Sequence, residues 1–333
     1  MTAARGTDVD APGTAPAGAR ASDFPSPPCG KGSAVEIVPS GNTVPGTPPL
    51  PPAPRGRESL RFAPAAAARA TVFVANIRGG LGALVRPPRR PVTNLVPAWR
   101  RLKVHGALAI GVVVLAMLFL DAPAYEFSMT LPAWFVDDAY EITDFGRSGW
   151  ILVPLGTPIV LIGLLSSPAL DRMSRALLAM VVVRLGYVFV AVGMPGLVST
   201  VVKRWIGRVR PSAAGPFAYE PFSWRPDYAS FPSGHATTAF AALVAFGAVF
   251  PRTRPVLWLY ALLIAASRVA VSAHYLSDVI AGAAFGAFGA LLVRDWFAAR
   301  RLGFFVGPDG AIRTMVGPSR RRIKQVVRAL VAS

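Results

Sequence analysis

The chain has 333 residues, of which 53% are hydrophobic, and it carries a formal net charge of +18 at pH 7. An apolar share of this size is unusual for a soluble protein and indicates a membrane protein, whereas the basic charge is more typical of cytoplasmic loops beside membrane spans than of a nucleic-acid-binding domain. Because Cys29 is the single cysteine, the sequence excludes an internal disulfide and a cysteine-based zinc site.

The first 70 residues are rich in Pro, Ala, Gly and Ser, as in the stretch PGTPPLPPAPRGR. Such a segment cannot bury enough apolar surface to offset the entropy lost on ordering, and its start lacks the apolar core of a secretory signal peptide. We therefore predict a disordered tail over residues 1–70 and a basic juxtamembrane segment over 71–103. Within the latter, residues 72–85 could form a short interfacial helix, although Gly79 and Gly80 oppose one.

Six apolar segments follow, each near the length of about 20 residues that a helix needs to cross the hydrocarbon core of a bilayer. They are residues 104–120, 150–166, 176–199, 236–250, 255–272 and 279–297. The fourth is short and must borrow a helical turn on one side. The sequence therefore predicts an all-α, polytopic membrane domain over 104–297 with six transmembrane helices, and a basic cytoplasmic tail over 298–333.

The placement of basic residues predicts the orientation, because cytoplasmic loops retain an excess of Lys and Arg. The segments before the first span, after the second, after the fourth and after the sixth are basic, whereas the loop after the first span is acidic. The basic residues of these segments include Arg100, Arg101, Arg172, Arg175, Arg252, Arg254, Arg300 and Arg301. We therefore predict a multi-pass protein of the inner membrane with both termini in the cytoplasm.

The loop over residues 200–235 breaks this pattern. It lies on the predicted outer (periplasmic) face, where positive charge is normally avoided. Its basic residues are nevertheless Lys203, Arg204, Arg208, Arg210 and Arg225. Positive charge retained against the topological rule indicates that the outer face has a function that requires it.

The outer ends of the later spans bring further polar residues to the same region. Ser233, Gly234 and His235 open the fourth span, where Ser233 could serve as the helix N-cap. His274 and Asp278 follow the fifth span, and they would share a face if that segment is helical. A carboxylate at this spacing can fix the tautomer of a histidine and stabilise its protonated form.

These residue types suit phosphate chemistry. Lysine and arginine side chains match phosphate oxygens, and a helix N-terminus favours anions. One histidine could attack phosphorus while the other protonates the leaving oxygen, and the residues alone leave open which does which. The two histidines could instead bind a metal, but the surrounding cations would repel a divalent ion. We therefore expect neither a metal nor a cofactor.

The segments KRWIGRVRP, PSGH and SRVAVSAHYLSD resemble the three-part signature of the type 2 phosphatidic acid phosphatase superfamily, which also contains the vanadium haloperoxidases. The signature consists of Lys and Arg-Pro, then Pro-Ser-Gly-His, then Ser-Arg, His and Asp at fixed spacing. Its positions in this chain are Lys203, Arg210, Pro211, Pro232, Ser233, Gly234, His235, Ser267, Arg268, His274 and Asp278. The resemblance covers about residues 104 to 297.

The resemblance implies a six-helix fold with its site at the outer membrane surface, and a role for each residue of the signature. His274 would be the nucleophile that forms a phosphohistidine, and Asp278 would orient it. His235 would be the general acid and would later help water attack the intermediate. The residues implied to hold the phosphate are Lys203, Arg210, Ser233, Gly234 and Arg268.

Together these features predict an integral membrane phosphatase that acts on a lipid phosphomonoester or pyrophosphate. Similar family members act on phosphatidate, phosphatidylglycerol phosphate, isoprenyl pyrophosphate or lipid A, and the sequence leaves the substrate and the oligomeric state open. One alternative is a non-catalytic lipid-binding or transport protein, which would not need His235, His274 and Asp278 together. A vanadium-dependent haloperoxidase is the other, but its relatives are soluble.

Two further segments have compositions that suit a membrane surface. The loop over residues 212–231 carries six aromatic side chains, which could anchor in the bilayer interface or form a lid over a lipid headgroup. The C-terminal stretch SRRRIKQVVRALVA interleaves basic and apolar residues, a pattern typical of an amphipathic helix on anionic lipid. No other part of the chain indicates a nucleic-acid partner.

Overall fold

The computed structural model describes residues 62–88, 96–166, 170–213, 215–317 and 319–332. Most of the tail that is predicted to be disordered therefore lies outside the described residues. Its last residues, from Phe62 onward, form the start of a helix. Ten α-helices and one hairpin of two strands make up the regular structure of the described ranges.

The first five helices are α1 (Phe62–Val85), α2 (Val96–Phe119), α3 (Asp121–Met129), α4 (Ala133–Asp144) and α5 (Gly149–Leu165). The other five are α6 (Arg172–Ile206), α7 (Gly234–Val249), α8 (Arg254–Ala270), α9 (Leu276–Ala299) and α10 (Arg320–Ala332). Between α9 and α10, strands β1 (Phe304–Val306) and β2 (Ile312–Thr314) pair antiparallel.

Each of the six apolar segments falls on a helix, namely α2 and α5 to α9. The fourth is short, as its sequence indicates, because α7 has 16 residues. Helix α1 covers the segment 72–85 and continues through Gly79 and Gly80 without a break. Helix α10 covers the basic C-terminal stretch with its interleaved apolar residues.

Three helical stretches within the described residues are long and apolar enough to cross a membrane. They are residues 133–165, α6 and α9. A fourth is added if α2 and α3, which meet at a bend of 56°, are counted as one broken span. The bend matters for the site because it places Asp121, the first residue of α3, inside the protein, where it is 1% exposed.

Helix α7 lies at the centre of the bundle, where it packs against α6, α8 and α9. Small residues make this possible, because Ala236, Ala239, Ala241 and Ala245 are fully buried. A larger hydrophobic cluster on α6 and α9 surrounds the far end of α7 and includes Tyr187, which stacks edge-on against Phe297 and Phe304. The centre of the bundle thus holds the chain segments on either side of α7 in fixed positions.

The closest approach in the bundle is between α7 and α9. A methyl group added to Gly282 of α9 would collide with the carbonyl oxygen of Ser233, and one added to Gly286 would collide with that of Thr237. The two helices therefore touch backbone to backbone, which is a geometry that only glycine permits. This contact fixes the start of α7 relative to the start of α9.

Candidate active site

The three segments of the signature meet at one end of the bundle. Helices α6 and α8 end there, and α7 and α9 begin there. The backbone N–H of Ser233 donates a hydrogen bond of 3.0 Å to the carbonyl oxygen of Asp278, which joins the second segment directly to the third. Ser233, His274 and Asp278 are all buried. The structure thus gathers the signature into one enclosed polar site.

His274 lies in the short loop between α8 and α9, two residues before α9 begins. It therefore does not share a helix face with Asp278, although the two side chains are neighbours: His274 Nδ1 lies 3.8 Å from Asp278 Oδ2 and 3.4 Å from Ser230 Oγ. Because Nδ1 faces these oxygen atoms, Nε2 is the nitrogen available to a substrate. The backbone N–H of His274 is anchored on the carbonyl oxygen of Arg268 at 3.3 Å.

Burial lowers the pKa of His274 to about 4, and the charges of Arg268 and Arg210 act in the same direction. The nearby carboxylate of Asp278 opposes this shift but does not outweigh it. At neutral pH the ring is therefore uncharged, which is the form that a nucleophilic nitrogen requires.

Asp278 is held by three groups besides the histidine. Ser230 Oγ donates to Oδ2 at 2.5 Å, the backbone N–H of Tyr275 donates to the same oxygen at 3.0 Å, and Arg208 donates from Nη1 to Oδ1 at 2.6 Å. The carboxylate is fully buried, so these partners compensate for its loss of water. Asp278 thus has a fixed orientation beside the imidazole ring.

Arg208 connects the site to the bend between α2 and α3. Its side chain is fully buried and forms ion pairs with Asp278 at 2.6 Å and with Asp121 at 2.7 Å. Asp121 also accepts two hydrogen bonds from Ser277, one from the backbone N–H at 2.8 Å and one from the hydroxyl at 2.6 Å. We call Asp121, Arg208, Ser277 and Asp278 the Arg208 cluster.

The sequence analysis places Arg208 in the basic outer loop but predicts no role for it in the site. Asp121 is likewise only one of several acids in the loop after the first span. Burial lowers the pKa of Arg208, but the two carboxylates outweigh this effect and raise the pKa above its ordinary value. Arg208 therefore stays charged. The only sequence signal for this cluster is the presence of an extra arginine two residues before Arg210.

The residues expected to hold phosphate form a second polar group, in which Ser233 and Arg268 are buried and the others are half-buried. We call this group the phosphate pocket: Lys203, Arg210, Ser233, Gly234 and Arg268. Two of its donors are buried without a hydrogen-bond partner among the described residues, namely the hydroxyl of Ser233 and Nε of Arg268. Unpaired buried donors are rare in native proteins, because each loses its hydration without compensation. Both belong to the signature, and each could donate to an anionic ligand.

Ser233 stands at the N-cap position of α7, as its sequence position indicates, but its side chain makes no capping hydrogen bond. The hydroxyl is therefore available to a ligand at a helix N-terminus, where backbone N–H groups also favour anions. Nη1 of Arg268 donates to Thr143 Oγ1 at 2.8 Å, which anchors the guanidinium while Nε stays unpaired.

Lys203 and Arg210 complete the pocket from the end of α6. A Cβ atom built on Gly234 would lie 3.4 Å from Nζ of Lys203, so the ammonium group reaches the start of α7. Arg210 donates from Nε to the carbonyl oxygen of Pro226 at 3.1 Å. This leaves its two terminal nitrogens without a partner among the residues that the structure describes.

His235, the second residue of α7, faces the same region. The turn between α4 and α5 covers its ring, because a Cβ atom on Gly146 would lie 2.8 Å from Cδ2 of His235. The positive charges of Arg268 and Lys203 both act on this ring. The structure thus brings together all eight residues proposed for the site. No group of three or more His, Cys, Asp or Glu side chains able to hold a metal occurs within the described ranges.

The aromatic loop over residues 212–231 leaves Phe217, Phe222 and Trp224 largely exposed. Arg204 holds this loop by donating to the carbonyl oxygens of Trp224 and Arg225, at 2.9 and 3.2 Å. Exposed aromatic side chains beside a buried polar site are suited to contact with lipid.

Comparisons with known proteins agree with this geometry. A family model described as the PAP2 superfamily matches residues 184–302. The lipid A 1-phosphatase of Rhizobium johnstonii is 38% identical over 209 residues, which are 61% of this chain and 84% of that protein. The lipid A 1-phosphatase of Rhizobium etli is 37% identical over 207 residues, 61% of this chain and 88% of that protein.

Two solved structures also match the chain. One is the transmembrane PAP2-type phosphatidylglycerolphosphate phosphatase of Bacillus subtilis, with a TM-score of 0.41 and 22% identity over 57% of this chain and 90% of that one. The other is LpxE of Aquifex aeolicus, with a TM-score of 0.39 and 18% identity over 52% of this chain and 94% of that one.

Proposed function

The chain belongs to the PAP2 superfamily and is a membrane lipid phosphatase, and we propose that its substrate is the phosphate at position 1 of lipid A. The choice of lipid A rests on two relatives of that activity, each matched over more than four-fifths of its length. The observation that carries the proposed site is the pair of unpaired buried donors, Ser233 Oγ and Arg268 Nε. A phosphate group supplies the acceptor oxygens that both donors lack.

We assign the first chemical step to His274. Its uncharged Nε2 attacks phosphorus, so that an N–P bond forms while the P–O bond to the lipid breaks. His235 donates its proton to the leaving oxygen. His235 carries that proton only in the complex, because the negative charge of the bound phosphate favours the protonated ring. Asp278 and Ser230 hold Nδ1 of His274 and stabilise the positive charge that develops on its ring.

The second step reverses these roles. Water attacks the phosphorus of the phosphohistidine, His235 accepts a proton from that water, and the P–N bond breaks to release inorganic phosphate and neutral His274. The phosphate pocket stabilises the charge on the equatorial oxygens in both transition states. Every proton and electron pair in this cycle is supplied by the two histidines, water and the substrate, so the cycle requires no metal.

We further propose that all six helices matching the predicted spans cross the inner membrane, with the termini in the cytoplasm and the site at the periplasmic face. The distribution of basic residues supports this orientation. The end of the bundle opposite the site carries Arg172, Arg252 and Arg300. A substrate whose phosphate lies at the outer membrane surface reaches such a site without leaving the bilayer.

The test measures phosphate release by the purified chain in detergent, from lipid A and from phosphatidate, phosphatidylglycerol phosphate and an isoprenyl pyrophosphate. We expect release from lipid A that persists in EDTA and is abolished in His274→Ala, with that variant still folded. Sealed right-side-out vesicles should cleave added lipid A, whereas sealed inside-out vesicles should not.

The possible results separate the parts of the proposal. Full activity in His274→Ala would contradict the mechanism, whereas preference for another lipid would contradict only the substrate. Cleavage by inside-out vesicles would contradict the orientation. If the folded protein releases phosphate from none of these lipids, the chain binds or transports lipid instead.

A further inference from the structure

A second basic site lies at the other end of α9, far from the phosphate pocket. It is a cleft of about 250 Å³ between the end of α1 and the segment that follows α9. The residues that line it are Ala83, Arg86, Pro87, Arg300, Arg301 and Leu302. Three of the six are arginines and none is acidic. The cleft therefore concentrates positive charge that its own lining does not neutralise.

Arg300 is held in an unusual way for an arginine at a helix end. Its guanidinium carbon lies 3.5 Å from the centre of the Trp296 ring, and Nη1 donates to the carbonyl oxygen of Trp296 at 3.3 Å. The side chain thus stacks on the protein instead of extending into water. Its Nε is buried and has no hydrogen-bond partner within the described ranges, which is the same property that marks Arg268 in the phosphate pocket.

Trp296, on which Arg300 stacks, also contacts the end of α1. Its indole N–H donates to the carbonyl oxygen of Leu84 at 3.0 Å, while half of its surface stays exposed. A tryptophan with an apolar exposed face and a bound N–H is typical of the bilayer interface. The nearest acid along the chain, Asp295, is occupied by Arg294 at 2.9 Å. Within the described ranges, Arg300 itself forms no ion pair with a carboxylate.

The position of the cleft indicates the source of its ligand. Asp278 and Arg300 lie at opposite ends of α9, and their separation of 22 positions corresponds to about 33 Å of helix. Because α9 is one of the helices able to cross a membrane, the cleft lies at the bilayer surface opposite the active site. The abundant anions at that depth are the phosphodiester groups of phospholipids, and arginine forks match their oxygens.

We propose that this cleft binds the phosphate group of an anionic phospholipid in the leaflet opposite the active site. The guanidinium group of Arg300 donates to the phosphate oxygens, and Arg86 and Arg301 supply the remaining positive charge. The acyl chains lie along α1 and α9. This proposal does not depend on which lipid the active site cleaves.

The test uses the full chain, delipidated in a mild detergent, and native mass spectrometry to measure its affinity for phosphatidylglycerol. Phosphatidylcholine with the same acyl chains provides a zwitterionic comparison, and inorganic phosphate provides the free anion. The double variant Arg300→Gln/Arg301→Gln removes two charges from the cleft. The matched variant Arg172→Gln/Arg252→Gln removes two exposed charges from the same end of the protein.

We expect phosphatidylglycerol to bind more tightly than phosphatidylcholine, and the cleft variant to lose about 5-fold in affinity for each arginine removed, close to 30-fold in total. The matched variant should lose less than 3-fold. Equal losses in both variants would overturn the proposal, because diffuse positive charge would then account for the binding. Inorganic phosphate that binds as tightly as phosphatidylglycerol would overturn the lipid assignment.

A third variant keeps the test valid if the double variant fails to fold. Arg86→Gln removes one charge from the exposed end of α1 and leaves the stacking of Arg300 on Trp296 in place. It should still lose about 5-fold in affinity. Unchanged affinity in folded Arg86→Gln would contradict a ligand that lies between α1 and α9.

Discussion

The Arg208 cluster and the phosphate pocket are two buried polar regions that adjoin each other, and they differ in one respect. In the cluster, every charged group is paired: Arg208 bridges the carboxylates of Asp121 and Asp278, and Ser277 also donates to Asp121. In the pocket, Ser233 Oγ and Arg268 Nε are buried with no partner among the described residues. The charged groups of the first region satisfy one another, whereas the second region keeps two donors available for an acceptor.

This difference separates two uses of buried charge. A fully paired network stabilises and positions, and removing one partner leaves the others buried and uncompensated. An incompletely paired network keeps hydrogen-bond donors available for a ligand. Removing one of the unpaired donors eliminates a destabilising buried group, so the folded protein loses no stability. Variants in the Arg208 cluster should therefore lower mainly the stability, whereas variants in the phosphate pocket should lower mainly the activity.

The largest expected effect on stability comes from Arg208→Met. The substitution leaves Asp121 and Asp278 buried without their cation, and we expect a loss of about 3–5 kcal/mol in the free energy of unfolding. Activity falls as well, because Asp278 loses the group that orients it. Thermal or denaturant unfolding in detergent measures the first effect, and lipid A turnover the second.

Arg225→Met is the matched control, because Arg225 lies in the same outer loop, but its side chain is 63% exposed and its ion pairs are long, at 3.8 and 3.9 Å. Such pairs contribute little. We expect this variant to unfold like the wild type. If Arg208→Met were equally stable yet inactive, Arg208 would belong with the pocket and not with the scaffold.

Ser233→Ala should lower the activity and leave the stability unchanged. The change removes a buried hydroxyl that has no partner, so stability should stay the same or rise slightly. Because the hydroxyl can donate to a charged phosphate, we expect kcat/KM to fall about 10- to 150-fold, the equivalent of a hydrogen bond to a charged group. Steady-state kinetics with lipid A and a melting curve of the same preparation measure both quantities.

Ser199→Ala serves as the comparison for this variant. The hydroxyl of Ser199 on α6 is also buried without a partner in the part of the chain that the structure describes, but it lies outside the residues of the signature. We expect turnover close to that of the wild type. An equal loss of activity in both variants would show that an unpaired hydroxyl does not by itself mark the phosphate site.

The smallest effect concerns pH, at the boundary between the two regions. Because burial lowers the pKa of His274 to about 4, the acid limb of kcat/KM should lie near pH 4 and not near the ordinary value of 6.5. Asp278→Asn removes the charge that raises this pKa, so in any residual activity the limb should move further down. A limb near 6.5 in the wild type would contradict an uncharged, buried nucleophile.

The lowered pKa of His274 also makes the stability of the fold depend on pH. The unfolded chain binds a proton at His274 near pH 6.5, whereas the folded chain binds it only near pH 4. The contribution of this residue to stability is therefore fully present above the unfolded pKa and is lost as the pH falls toward the folded one. Melting temperatures between pH 7 and pH 4 should decline accordingly, and less so in His274→Ala.

The parts of the protein that the sequence predicts well are those encoded by local patterns. Apolar runs locate the six helices, although α2 begins 8 residues before the predicted span and α6 ends 7 residues after its own. Lys203, His235 and His274 stand in segments of fixed spacing. The N-cap position of Ser233 also follows from its place ahead of an apolar run. In each case the signal lies within about one helix or one loop of the residue concerned.

The parts that the sequence does not predict depend on pairing across long separations. Asp121 and Arg208 are 87 residues apart, and no local pattern links an acid after the first span to an arginine beside the signature. Ser230 is equally unmarked, although its hydroxyl lies between Asp278 and His274. Whether the side chain of Ser233 caps α7 or stays unpaired is likewise decided by packing and not by position.

The glycine contact between α7 and α9 has a consequence for how lipid composition can influence the enzyme. Outward-facing residues such as Leu108 of α2 and Val153 of α5 are exposed, so those helices respond to lateral pressure in the surrounding bilayer. The starts of α7 and α9 instead meet backbone to backbone at Gly282, a contact that has no compressible side chain in it. We therefore expect changes in lipid packing to alter the entry of a substrate more than the spacing of the two histidines.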